Sequence, residues 1–97
     1  MLNSTEVCEA AGITYRQLDY WQRSDIISCE WSVVGGGSGS RRLFSDELVP
    51  VLKLVAEVQG LFNFQVKDLR RIIRAFPNGH VQLNDRLTLS WNPEDYK

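Results

Sequence analysis

Two helix-start signals stand close together near the beginning of this 97-residue chain, with a glycine between them. Asn3 is a good capping residue, and Glu6 can reach back to its backbone N–H in a variant of the capping box. Thr14 and Gln17 fit the same pattern directly. Gly12 is the residue type that commonly ends a helix. The sequence therefore predicts two short helices joined by a tight turn, which is a helix-turn-helix pattern.

The spacing of apolar residues predicts which face of each helix is buried. The inner face of the first helix is formed by Val7, Ala10 and Ala11. The inner face of the second helix is formed by Leu18 and Trp21, joined across the turn by Ile13. The second helix keeps a polar outer face, made of Arg16, Gln17, Asp19, Tyr20 and Arg23. We expect Asp19 to orient an arginine or to cap a turn, because an acid aimed at phosphate would be repelled.

The middle of the chain predicts a β-hairpin with a mobile, glycine-rich tip. Residues 26–34 are rich in β-branched and aromatic side chains and are expected to be extended. A glycine-serine tract at 35–40 follows, which could also be a flexible linker. A short strand, Arg41-Arg42-Leu43-Phe44, comes directly after it. No Gly-Lys-Ser/Thr closes the tract and no strand-turn-helix surrounds it, so neither a P-loop nor a dinucleotide fingerprint is indicated.

Two further helices are predicted downstream. Ser45 is expected to cap the third, with Asp46 and Glu47 in its first turn and Gly60 at its end. Pro50 predicts either a kink or a true start one turn later. The inward stripe of this helix is Leu48, Val51, Leu52, Val55 and Val58. The fourth helix is expected from Val66 to Phe76, with Leu69, Ile72 and Ile73 inward, and it is ended by Pro77-Asn78-Gly79.

The last residues predict a separate tail. Apolar residues alternate from Val81 to Trp91 around Asn84-Asp85, which is typical of a small hairpin or of a strand laid on a neighbour. We therefore divide the chain into a domain at residues 1–76 and a tail at residues 77–97. The tail is a candidate surface for self-association.

Composition and residue chemistry predict an ordinary globular protein and no enzyme. Hydrophobic residues make up 43% of the chain, and no apolar run is long enough for a membrane span. Two cysteines and one histidine cannot form a disulfide framework or a four-ligand zinc site, and no catalytic constellation or cofactor motif is present. We expect Cys8 to be a small buried hydrophobe and His80 to face solvent. The aromatic residues expected in the core are Trp21, Trp31, Phe44, Phe62 and Phe64.

Positive charge is concentrated in two segments, although the whole chain is slightly acidic. Eleven Lys and Arg residues against twelve Asp and Glu give a net charge of −1, which by itself disfavours nucleic-acid binding. Residues 31–44 nevertheless carry Arg41 and Arg42 and no acid. Residues 63–76 carry Lys67, Arg70, Arg71 and Arg74 against a single acid. DNA phosphates interact with the local positive charge of a protein surface and not with its net charge. Folding could therefore gather these cations on one binding face.

In the order of its motifs the chain resembles the DNA-binding domain of the MerR (mercury-resistance regulator) family, a winged helix-turn-helix. The resemblance covers residues 3–76. It is carried by Thr5-Glu6-Val7, Ala11-Gly12-Ile13-Thr14, Leu18-Asp19-Tyr20-Trp21 with Arg23, and Gly39-Ser40-Arg41-Arg42-Leu43-Phe44-Ser45. Asp19 departs from the commonest form of the family, which has arginine there.

The resemblance implies a mainly α fold with a β-hairpin wing and sequence-specific binding of double-stranded DNA by a small cytoplasmic, nucleoid-associated transcriptional regulator. The second helix would lie in the major groove, and the wing would reach the backbone or the minor groove. The residues expected to contact DNA are Thr14, Tyr15, Arg16, Gln17, Tyr20, Arg23, Arg41 and Arg42, together with Arg70, Arg71 and Arg74 on the fourth helix. Two alternatives stay open: an excisionase-like factor that bends DNA, and a protein-interaction module that uses the tail.

The end of the chain departs from the longer members of the family. Those regulators dimerise through a long helix after the fourth one and bind inducers in a further domain. Here Pro77-Asn78-Gly79 stands where that helix would begin, and no heptad repeat follows. We therefore expect a stand-alone DNA reader without inducer switching, which binds side by side or as a dimer.

Overall fold

The computed structural model describes residues 1–33 and 40–97 and, within them, every side chain except those of 31–33, 40 and 41. The described part contains the α-helices α1 (Ser4–Ala11), α2 (Tyr15–Arg23), α3 (Leu48–Leu61) and α4 (Val66–Ala75). Its strands are β1 (Leu2–Asn3), β2 (Glu30–Val33), β3 (Ser40–Phe44), β4 (His80–Gln82) and β5 (Thr88–Ser90). Short 3₁₀ helices cover Phe76–Asn78 and Pro93–Tyr96. No helix in these residues is both long and apolar enough to span a membrane.

The strands form two small antiparallel sheets. In the first sheet, β3 lies between β1 and β2, with Leu2 opposite Phe44 and Trp31 opposite Arg42. The predicted pairing of two strands across the glycine-serine tract is therefore present. Strand β1 was not predicted, because two residues are too few to show an alternating pattern.

Both predicted capping boxes are confirmed. The side chain of Asn3 accepts from the backbone of Glu6, and the Glu6 carboxylate accepts from the backbone of Asn3. Thr14 and Gln17 make the same reciprocal pair at the start of α2. Gly12 ends α1 with a φ of 71°, in the left-handed region that side-chain-bearing residues rarely adopt. These local interactions fix both ends of the α1–α2 turn.

One hydrophobic core joins the helices to the first sheet. Val7, Leu18, Phe44, Leu52 and Ile72 are among its fully buried side chains. Trp21 and Phe44 are buried as predicted, whereas the side chain of Trp31 lies outside the described residues. Ala10, predicted on the inner face of α1, is exposed.

The beginning and the end of α3 differ from the prediction. The helix starts at Leu48, so Ser45 is not its cap; the Ser45 hydroxyl instead accepts from the Glu47 backbone in the preceding turn. The start is two residues later than a Ser45 cap would give, which is less than the full turn that Pro50 suggested. Pro50 stands in the first turn, where its missing N–H costs no helix bond. Gly60 does not end the helix, which continues through it to Leu61.

Two other predictions are corrected. Phe62 is 55% exposed, because it follows the end of α3 in the turn to α4 and is not in the core. Ile26 and Ile27 are buried but are not in a strand; their backbone N–H groups both donate to the carbonyl of Trp21 and continue the end of α2. Residue 34 and the predicted mobile tip at 35–39 lie outside the described residues.

The tail forms the predicted hairpin and packs against the core. Val81 lies opposite Leu89 in the β4–β5 pair, and both pack on the core with Trp91 and Tyr96. The indole Nε1 of Trp91 donates to the carbonyl of Phe76 at 3.0 Å. Hydrogen bonding and packing therefore attach residues 77–97 to the helices, and their predicted use in self-association stays a prediction.

Candidate nucleic-acid interface

The outer face of α2 presents polar and aromatic side chains to solvent. Tyr15, Arg16, Tyr20 and Arg23 are all exposed, while Leu18 and Trp21 hold the opposite face in the core. Arg16 makes no hydrogen bond or ion pair with any residue that the structure describes. Arg16 therefore lies on the exposed outer face of α2, and its predicted contact with DNA stays a prediction.

Thr14 and Gln17 are used to fix the start of this helix. The Thr14 hydroxyl accepts from the Gln17 backbone at 3.1 Å, and the Gln17 side-chain oxygen accepts from the Thr14 backbone at 3.0 Å. Because both groups are occupied, the first turn of α2 is rigid, and Tyr15 and Arg16 project from a fixed backbone.

Arg42 on β3 binds the outer face of α2. Its Nη2 lies 2.9 Å from Asp19 Oδ1 and donates to the Tyr15 hydroxyl at 2.6 Å, and its Nη1 donates to Gln22 Oε1 at 3.2 Å. The guanidinium carbon also stands 5.5 Å from the centre of the Tyr15 ring, within cation–π range. Only 13% of the Arg42 side chain is exposed. One arginine thus ties the central strand of the sheet to three residues of the helix.

Asp19 accepts from two arginines. Besides Arg42, its Oδ2 lies 3.0 Å from Nε of Arg23, one turn further along α2. Partial burial acts to raise the pKa of the Asp19 carboxyl, but the hydrogen bonds and positive charges of Arg42 and Arg23 outweigh it and hold that pKa below its usual value. The acid is therefore ionised at neutral pH and neutralised by its neighbours. The expectation that Asp19 orients an arginine is confirmed.

The arginines of α4 have three different surroundings. Arg70 donates to the carbonyl of Ser24, the residue that ends α2, at 2.5 Å. Arg71 donates to the tail carbonyls of Gln82 and Leu83 and lies 3.8 Å from Asp68. Arg74 lines an open cleft of about 860 Å³ between α3, α4 and the tail. The structure therefore brings Arg70 next to α2 and engages Arg71 with the tail.

The network around Arg42 contains contacts that the sequence did not predict. Gln22 was not among the predicted site residues, and the pairing of Arg42 with Asp19 joins positions far apart in the chain. Residues 15, 19 and 22 are spaced so that they share one face of a helix, and this spacing was the signal in the sequence that could have grouped them. The side chain of Arg41, a predicted DNA contact, lies outside the described residues.

Metal and thiol chemistry receive no support from the described part of the chain. No group of three or more His, Cys, Asp or Glu side chains there could hold a metal ion. Cys8 is half-buried against the core, and burial raises the pKa of its thiol. A raised pKa lowers the fraction of reactive thiolate, which fits the predicted packing role.

Two capped helices joined by a glycine turn, with an exposed polar face on the second, place the chain in the helix-turn-helix class. The sequence profile described as "MerR HTH family regulatory protein" matches residues 2–75. The chain therefore belongs to the MerR family, as its motifs indicated.

Curated relatives support the same class. The chain is 50% identical over 48 residues to uncharacterized HTH-type transcriptional regulators of Mycobacterium bovis and Mycobacterium tuberculosis. The matched segment covers 50% of this chain and only 21% of those relatives. No solved structure matches the chain.

Proposed function

We propose that this protein is a transcriptional regulator that binds double-stranded DNA in a sequence-specific manner. In this proposal α2 is the recognition helix and lies in the major groove, whose width admits a helix and whose base edges differ for each pair. The observation that carries the proposal is the exposed face of Tyr15, Arg16, Tyr20 and Arg23 on a helix whose first turn is held by a capping box.

The proposed contacts with DNA are of two kinds, to base edges and to phosphates. Tyr15 and Arg16 project from the N-terminal turn of α2, the part of a recognition helix that reads base edges. Tyr20, Arg23 and Arg70 stand further along, at the C-terminal half of α2 and beside its end, where they would contact phosphates. The β2–β3 pair would act as the wing, with Arg41 directed at the DNA backbone or the minor groove.

Thr14, Gln17, Arg42, Arg71 and Arg74 were also predicted to contact DNA, and their contacts remain proposals. The first two support α2 through the capping box, and Arg42 and Arg71 already have protein partners. A supporting role for these residues is compatible with DNA binding, because residues that fix a recognition helix act on affinity without touching the duplex.

The proposal is tested by titrating the 97-residue chain into a pool of random-sequence duplexes at several salt concentrations. We expect salt-sensitive binding, enrichment of a common sequence, and, for Arg16→Ala, a several-fold weaker Kd for the enriched sequence with relaxed specificity. Arg86→Ala is the matched control, since it removes the same charge from the exposed tail turn. Absence of salt-sensitive binding, or equal binding by both variants, would refute the proposal.

Self-association on DNA is proposed for the same protein. Cooperative binding to duplexes of increasing length, measured with and without Leu87→Ser on the exposed part of the tail hairpin, tests it. A protein-interaction module that uses the tail and the acidic residues is the alternative, suggested by the near-neutral net charge and the apolar tail. Val81, Leu89 and Trp91 of that tail pack against the chain's own core, which favours the first proposal.

A further inference from the structure

An acidic residue in the middle of the proposed recognition helix requires an explanation. A carboxylate close to DNA phosphates is repelled by them, so a helix selected only for affinity would avoid one at position 19. Asp19 is nevertheless present, and 23% of its side chain is exposed. Its two neighbouring guanidinium groups leave the Asp19, Arg23 and Arg42 trio with a net positive charge.

Each carboxylate oxygen of Asp19 accepts from an arginine of a different structural element. Oδ1 accepts from Arg42 on β3, and Oδ2 accepts from Arg23 on α2 itself. Charge-assisted bonds of this kind are short and directional, and only 13% of the Arg42 side chain is exposed, so the carboxylate holds Arg42 in one conformation. The pair with Arg23, whose side chain is 76% exposed, is a weaker surface contact.

The position of Arg42 is in turn transmitted to Tyr15. The same Nη2 that binds Asp19 donates to the Tyr15 hydroxyl, and the guanidinium stands over the Tyr15 ring. Tyr15 and Asp19 are one turn apart on one face of α2, so a planar, forked guanidinium can reach both while also binding Gln22.

We infer that Asp19 is a positioning residue for DNA recognition, which holds Arg42 against Tyr15 so that α2 and β3 meet the duplex in one fixed arrangement. This inference rests on the proposed function and deepens it. Asp19 contributes to sequence discrimination, because a base-reading side chain must be placed to within a fraction of an ångström. It does not contribute to non-specific affinity, which depends on the number of phosphates neutralised.

A simple surface charge and a positioning residue predict opposite changes in the affinity of Asp19→Asn for the enriched sequence. If the carboxylate were only a surface charge, its removal would tighten binding to every duplex. If it is a positioning residue, the variant binds the enriched sequence about tenfold more weakly while its binding to unrelated duplex is unchanged or tighter.

The test uses the whole chain and the random-sequence duplex pool, with the wild type, Asp19→Asn and the control Asp85→Asn. The control makes the same charge change in the exposed turn of the tail hairpin. For each protein, the motif recovered from the pool and the Kd ratio of enriched to unrelated duplex are measured. Loss of discrimination in Asp19→Asn alone supports the inference, and retained discrimination with equal or tighter binding overturns it.

Arg42→Lys gives a second measurement that does not alter the acid. Lysine keeps the charge but lacks the fork that joins Tyr15, Asp19 and Gln22, so we expect discrimination to fall as it does in Asp19→Asn. A phosphate-binding role for Arg42 predicts little change, and that result overturns the inference. If circular dichroism shows that Asp19→Asn does not fold, the discrimination measured for Arg42→Lys decides the inference. Arg86→Lys is then the control. A wild type that binds no duplex refutes the proposed function itself.

Discussion

Arg42 on the central strand and Asp19 on the second helix form an ion pair, with 2.9 Å between Nη2 and Oδ1. The pair joins two segments that come together only on folding, and it lies at the face proposed to meet DNA. Asp19 shares its other oxygen with Arg23, so both of its oxygens are occupied. The stability of the α2–β3 contact and the proposed DNA recognition therefore depend on the same carboxylate.

The first prediction concerns the pH dependence of stability. Because the pKa of Asp19 is lower in the folded chain than its usual value, the folded state favours the ionised form. Its contribution to the free energy of unfolding is fully present above about pH 5, and it is lost as the pH falls through the usual and then the folded pKa.

Thermal unfolding of the wild type and Asp19→Asn between pH 2 and pH 7 measures this contribution. We expect the wild type to be the more stable at pH 7 and the difference to shrink at acid pH. The stability difference between the wild type and Asp85→Asn should not change with pH in this way. A difference for Asp19→Asn that stays constant with pH would contradict the lowered pKa of Asp19.

The second prediction concerns Gly79, in the turn that leads from α4 into the tail hairpin. Gly79 has a φ of 80°, and a Cβ placed on it would stand 2.8 Å from the carbonyl oxygen of Trp91. We expect Gly79→Ala to lower the free energy of unfolding by about 2–3 kcal/mol, since it combines backbone strain with a contact to main chain.

Gly60→Ala is the matched control for Gly79→Ala. Gly60 is helical, and a Cβ on it would meet nothing within 4 Å, so this change should stabilise the chain by about 0.5–1 kcal/mol. Denaturant unfolding of both variants measures the contrast. Equal changes in the free energy of unfolding for the two variants would show that the fold does not require glycine at position 79.

The third prediction concerns the attachment of the tail. Arg71 donates to the carbonyls of Gln82 and Leu83, so Arg71→Ala should loosen the β4–β5 hairpin and cost about 1–2 kcal/mol. Hydrogen exchange of the β4 and β5 amides should accelerate while α1 and α2 stay protected. Lys67→Ala removes the same charge from an exposed position of α4 and should leave the tail amides unchanged.

The fourth prediction concerns the start of α2. Thr14→Ala removes the hydroxyl that accepts from the Gln17 backbone and should lower the free energy of unfolding by about 1 kcal/mol. Thr5→Ala, at an exposed position inside α1, is the control and should be nearly neutral or slightly stabilising. Chemical denaturation of the two variants distinguishes a lost cap from the general effect of replacing threonine.

Predictions from the sequence succeeded where the interactions are local. The capping boxes at Asn3 and Thr14, the turn at Gly12 and the tail hairpin each depend on residues a few positions apart, whose geometry is set by the backbone. The prediction for α3 failed at both ends because it, too, used local signals. Ser45 and Gly60 are suitable ending residues, but the packing of Leu52, Leu54, Val55 and Val58 decides which turns are helical.

The sequence by itself determined that the first two helices would be short and capped and that the second would keep a polar outer face, because capping and hydrophobic periodicity act over one or two turns. Only the tertiary structure decided that Asp19 binds Arg42 as well as Arg23, that Phe62 is outside the core, and that Arg70 and Arg71 hold different elements. Those outcomes depend on the distance between segments remote in the chain, and packing fixes that distance.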